Sequence, residues 1–223
     1  MDDNPRKFER FCGVMETLTG ENGCPWDRAQ THNSLRPYLL EESYEAADAI
    51  DRSDMPALCE ELGDMLMEIV LQVKLAEKSG AFTMGDMLDG ITQKMIRRHS
   101  HVFGEDTAAT AAEVEVFWEA NKNKEKKYAS AAERLRAVPK ALPALIRAAK
   151  VIRYAGAETD TAGCFTRARA VLSALEEASA APETAAEGFL GELLFILAQL
   201  SVNFEINAEF SLTSQIDTYI NNS

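Results

Sequence analysis

Five carboxylates in two short stretches carry the first chemical signal of this chain. They are Glu41, Glu42 and Glu45 in EESYE, and Glu61 and Asp64 in ELGD. Residues three or four apart share one side of a helix, so Glu42 with Glu45, Glu41 with Glu45, and Glu61 with Asp64 project together. Few residues separate the two stretches, and the helices that carry them are expected to lie antiparallel and side by side. If their acidic edges face one another, about four carboxylates converge beside Leu39, Leu40, Leu62 and Leu66. Such a cluster repels itself and must either take up protons or hold a cation. A solvated acidic face is the plainer alternative, and for one such motif alone it is the better one. Two motifs on consecutive helices favour a metal site.

Ligand type narrows the cation. Every donor is a hard oxygen, and none of the 3 histidines (His32, His99 and His101) is expected on either acidic helix. Carboxylate-only sites suit Mg²⁺, with Mn²⁺ as a substitute, whereas di-iron sites in helix bundles add an ExxH motif. A di-iron or di-manganese redox bundle is disfavoured for that reason. Mg²⁺ held by a few carboxylates leaves positions for water and substrate phosphates, which points to phosphate chemistry.

The elements that must position these acids are helical throughout. Phe8, Phe11, Met15 and Leu18 recur at helical steps over residues 5–19. GENGCPWDRAQTHNS, residues 20–34, reads as a loop, with Ser34 available to cap a helix over about 35–50. Asp54 and Pro56 open the next helix, whose apolar stripe is Leu58, Leu62, Leu66, Ile69 and Val73. Further helices are expected over 84–98, 112–127, 144–156, 165–179 and 187–208. No segment alternates as a strand would, so the expected class is all-α.

The chain has 223 residues, 46% of them hydrophobic, enough to bury a real core. Its net charge of −13 argues against nucleic acid or an anionic membrane as a partner. Cys12, Cys24, Cys59 and Cys164 are scattered, which suits reduced thiols in a cytosolic protein. The charged opening MDDNPRKFER does not read as a signal peptide, no apolar run approaches membrane-spanning length, and the expected location is cytoplasmic. Two-sided apolar helices such as GFLGELLFILAQLSVNF suggest a homodimer or higher homo-oligomer.

EESYE followed by ELGD resembles the EExxE…ExxD signature of the MazG nucleoside triphosphate pyrophosphohydrolases. The likeness continues through ENGCPWDRAQTH at 21–32, KMIRRHSHVFGE at 94–105 and FWEANKNKEK at 117–126. The resemblance implies an all-α helical bundle, obligate dimers, and Mg²⁺-dependent cleavage of NTPs and dNTPs to NMP and pyrophosphate, clearing the nucleotide pool. Carried onto this chain, it makes Glu42, Glu45, Glu61 and Asp64 metal ligands. Glu41 would orient or activate water, or join the metal shell. Lys94, Arg97 and Arg98 would face the phosphates, and Trp118 and Lys122 would hold base or phosphate. Apart from the family, Lys94, Arg97 and Arg98 equally suit a solvated face, and Trp118 suits a core aromatic. Trp26 reads as a packing anchor, His99 and His101 as surface or capping groups. Cys24 has no evident base partner and is not expected to act as a nucleophile.

The expected domains are a catalytic helical domain over 1–127, a linker over 128–143 (KYASAAERLRAVPKALP carries its Pro and Ala), and a second helical half over 144–223. FLGELLFILAQL at 189–200 echoes ELGDMLMEIVLQ at 61–72, but with Phe189 at the place of Glu61 and Glu192 at that of Asp64. Upstream, Ser173, Ala174 and Glu177 stand where acids would be needed. The second half is therefore expected to be a degenerate copy used for packing or dimerisation. A narrower all-α dUTP or dCTP pyrophosphatase and a non-catalytic helical interaction protein remain as alternatives.

Overall fold

In a computed structural model describing residues 3–126, 128–156, 160–178 and 183–223, the chain forms helices and no strand. It divides into two compact units, Met1–Lys122 and Asn123–Ser223. The first begins with α1 (Asn4–Thr19), α2 (Pro25–Ala29), α3 (His32–Asp51) and α4 (Met55–Ser79). It continues with α5 (Met84–Arg98), α6 (Ser100–Phe103) and α7 (Ala111–Lys126), the last running past the boundary.

Local chemistry explains where the two acid-bearing helices start. Thr31, extended at φ −131°, accepts from the Ser34 N–H, and the Ser34 hydroxyl accepts from the Thr31 N–H. This reciprocal box makes Thr31 the cap and Ser34 an in-helix partner. The helix therefore begins earlier than the expected Leu35, and His32 lies on it. Asp54 caps α4 as expected, accepting from the Ala57 N–H at 3.1 Å. Gly80 ends α4 at φ 69°, a left-handed conformation that suits a residue without Cβ.

α3 and α4 form the most extensive helix pair of this unit. His32 near the start of α3 donates from Nδ1 to Gln72 Oε1 late in α4. Glu42 further along α3 meets Glu61 near the start of α4, so the two helices run antiparallel. Met15 of α1, Leu35 of α3 and Val70 and Leu71 of α4 make the buried core, with Phe11, Leu18, Met67, Leu75 and Met84 around it. Fully burying one such aliphatic side chain stabilises the fold by about 1.5–3 kcal/mol.

The apolar stripe of α4 does not all face that core. Val73 is buried, but Leu62 is 53% exposed, Leu66 38% and Ile69 37%. Leu40 on α3 is 44% exposed. Trp26, expected to anchor packing, is half exposed and meets the Tyr38 ring edge-on at 5.9 Å. It sits on the short helix α2, within the segment read as loop, where the indole has one aromatic neighbour and open solvent.

The second unit holds α8 (Ala131–Arg136), α9 (Ala144–Ala155), α10 (Thr161–Glu177), α11 (Glu183–Asn203) and α12 (Ala208–Asn221). Cys164, Val171, Ile196 and Leu200 form its core across α10 and α11, with Phe189 packed against them. α8 lies inside the segment read as a linker, and α12 lies beyond the last helix expected. Asn207 starts α12 by accepting from the Glu209 and Phe210 N–H groups. No single described helix is long and apolar enough to cross a membrane.

Candidate functional site

The α3–α4 pair brings one carboxylate oxygen each from Glu42, Glu45 and Glu61 within 4.8 Å of one another. Glu42 and Glu61 are half-buried, Glu45 exposed. Burial is the largest cause that lifts the Glu42 carboxyl above its ordinary pKa, and the charges of Asp64, Glu45, Glu61 and Glu41 add to it. Burial also lifts Glu61, helped by Glu45, Glu60 and Asp64, while a hydrogen bond with Glu42 works the other way. Every neighbouring charge acting on these two groups is another acid, so the cluster lacks a positive partner of its own. Asp64 is half-buried and sits outside the tight trio, acting on it through its charge. Glu41 is exposed at the edge and acts on Glu42 in the same way.

This donor set fits a hard divalent cation. Carboxylate oxygens converge from two helices, they are close enough to share one ion, and their mutual repulsion is what an ion would relieve. Among the described residues no other group of three potential ligands comes together in this way. His32, although on α3, is committed to Gln72 and does not join the trio.

A second grouping forms where α5, α6 and α7 meet. Arg98 is 6% exposed, with its guanidinium carbon 5.1 Å from the Trp118 ring centroid. His99 closes α5, with Nδ1 2.7 Å from the Met95 carbonyl oxygen, and presents its ring edge-on to Trp118 at 5.2 Å. Asn121 donates to the Arg97 carbonyl at 3.4 Å and to Ser100 Oγ at 3.5 Å, which fixes α7 against this corner. Arg97 itself is exposed, Lys94 is half-buried, and Lys122 is ion-paired with Glu119. The structure thus joins Arg98 to Trp118 and leaves Arg97 facing solvent. His101 packs against His99 with ring centroids 5.7 Å apart.

Two acids near the cluster were not singled out by sequence reasoning. Glu60 acts on Glu61 through its charge. Glu68 is buried, and burial first and Asp64 second raise its pKa. Extending the i, i+3, i+7 series from Glu61 through Asp64 reaches Glu68, so its place on the acidic face was available from spacing.

Residues 30–103 match the MazG nucleotide pyrophosphohydrolase domain. The nucleoside triphosphate pyrophosphohydrolase/pyrophosphatase MazG of Thermotoga maritima is 35% identical over 209 residues, covering 92% of this chain and 79% of that protein. The chain belongs to the MazG family. The uncharacterized protein YabN of Bacillus subtilis is 44% identical over 145 residues, or 65% of this chain and 29% of YabN. The nucleoside triphosphate pyrophosphohydrolase of Escherichia coli K12 is 40% identical over 146 residues, or 65% of this chain and 56% of that protein. The chain therefore spans less than two thirds of the last two relatives. The matched MazG region contains all five acids of the opening motifs together with Lys94, Arg97 and Arg98, while Trp118 and Lys122 lie beyond it.

Proposed function

We propose that this MazG-family chain is a Mg²⁺-dependent nucleoside triphosphate pyrophosphohydrolase that converts NTPs and dNTPs to NMP and pyrophosphate. The observation that carries the reading is the meeting of Glu42, Glu45 and Glu61 oxygens within 4.8 Å across α3 and α4. The names of the Thermotoga and Escherichia relatives support the substrate class.

Glu42, Glu45, Glu61 and Asp64 would hold the cation, with Mn²⁺ able to substitute. When bound, the cation supplies charge neutralisation between these acids and the triphosphate and polarises a phosphoryl oxygen. Glu41, exposed at the edge of the cluster, is placed to orient or deprotonate a water near the phosphorus under attack. Lys94, Arg97 and Lys122 would neutralise outer phosphate oxygens. Arg98 and Trp118, stacked on each other, would offer the base a flat, positively charged wall.

Copies of the chain would associate through the exposed apolar face of Leu40, Leu62, Leu66 and Ile69, giving a homodimer or larger homo-oligomer. The second unit would serve packing or association. In support, Phe189, at the place of Glu61, packs on the core, and Glu192, at that of Asp64, pairs with Arg167 at 2.7 Å. A cytoplasmic location suits the four free thiols. The test is phosphate release from a panel of NTPs in the presence of added pyrophosphatase, with and without Mg²⁺. Mg²⁺-dependent phosphate that appears only with pyrophosphatase is the expected result, and no release from any nucleotide would refute the reading.

A further inference from the structure

Glu68 lies on α4 one turn beyond Asp64 and two turns beyond Glu61, so the three share a helix face. It is 2% exposed, and its Oε2 is closed off from solvent without a hydrogen-bonding partner. Protonation does not cure this: a neutral carboxyl presents a hydroxyl without an acceptor or a carbonyl oxygen without a donor. Buried side-chain oxygens in native proteins are nearly always partnered, so an orphan next to an acidic cluster marks a missing ligand. The nearest charge that acts on it is Asp64, another acid, which excludes an ordinary ion pair as the explanation.

We propose that Asp64 and Glu68 bound a further divalent-cation position on α4, beside the one framed by Glu42, Glu45 and Glu61. The inference rests on reading the α3–α4 acids as a cation site and adds to it a ligand and a position. Side chains at i and i+4 stand about 5–6 Å apart at Cβ. Two carboxylates at that spacing can both reach one ion bonded at about 2.1 Å. The ion would partner the orphaned Oε2 and neutralise a carboxylate that the fold has enclosed. A hard cation is required, because both donors are oxygens and no sulfur or imidazole is placed between them on α4.

Mn²⁺ binding to the full chain, followed by the loss of the free-ion paramagnetic resonance signal, tests this. Wild type, Glu68→Gln and Glu61→Gln are compared, with circular dichroism to confirm folding. Glu68→Gln is expected to weaken one class of bound Mn²⁺ by about tenfold or more while the other class persists. Glu61→Gln is expected to weaken the other class instead. Wild-type binding by a folded Glu68→Gln overturns the inference and makes Glu68 a buried acid served by water. Unchanged binding in Glu61→Gln, with a loss in Glu68→Gln, keeps this position and sinks the reading of the trio. If Glu68→Gln does not fold, Glu68→Asp carries the same test: its shorter arm should weaken that class, and wild-type affinity overturns the inference.

Discussion

Glu42 on α3 and Glu61 on α4 bring carboxylate oxygens within 4.8 Å of each other across an antiparallel helix pair. Burial and neighbouring acids make both hold protons more tightly than a free glutamate. Neutralising one member should therefore not harm the metal-free protein. Glu61→Gln and Asp64→Asn are expected to melt at or above the wild-type temperature without Mg²⁺. The same variants should lose the Mg²⁺-dependent rise in melting temperature, because stabilisation by a ligand follows its affinity for the native state. Hydrolysis should fall by about 100-fold or more, the scale of losing a group that stabilises transition-state charge. Retained hydrolysis in both variants would place the site elsewhere.

The same two residues set the pH dependence. Their native pKa values lie above the ordinary 4.5, so between that value and the raised ones the native state holds more protons than the unfolded chain. Unfolding free energy then falls as pH rises through this window. Glu77 and Asp86 are shifted down, by hydrogen bonds from Lys74 and from Thr83 respectively, and their contribution is lost only at lower pH. Chelator-treated protein is thus expected to be more stable at about pH 5 than at about pH 7, and Mg²⁺ should abolish or invert that trend. Melting curves at both pH values decide it; a metal-free stability that climbs from the lower to the higher pH would contradict the cluster's role.

Product identity separates pyrophosphohydrolysis from other phosphate chemistry. An ATP digest resolved by chromatography should show AMP and pyrophosphate from the earliest time points. ADP as the first product would mean that attack falls on the terminal phosphorus, and the proposed activity would be wrong.

Leu62 offers a test of association. It is 53% exposed in the single chain, so Leu62→Asp should leave each copy folded. Light scattering of the wild type should give a mass above the 24.6 kDa of one chain, and the variant should shift toward that value. A wild type that already runs as one chain at micromolar concentration would remove the proposed interface.

Leu71 tests the core that holds α1, α3 and α4 together. It is 2% exposed and packs with Met15, Leu35 and Val70. Leu71→Ala should cost about 2–5 kcal/mol through lost transfer free energy and a residual cavity. A chemical-denaturation loss well under that range would show that the helices close over the gap.

Much of the site was legible because its signals are local. The three- and four-residue steps of Glu41, Glu42, Glu45, Glu61 and Asp64 dictate which side of a helix they share, whatever surrounds it. The Asp54 cap and the periodicity of α4 and α5 likewise depend on neighbours in the chain. Burial does not. Leu62, Leu66 and Ile69 have the spacing of a core stripe, yet in this fold they face outward, because periodicity marks an apolar side without saying what covers it. Arg98 could be counted as a cation from its type, but only the approach of α7 lays it against Trp118. Glu68 shares the face of Asp64 by spacing alone; that it is sealed and unpartnered follows from packing between segments far apart in sequence. The sequence by itself determined the helices and the acids that lie along them. Tertiary structure decided which of those acids meet, because that depends on how two helices are turned toward each other, which no local spacing encodes.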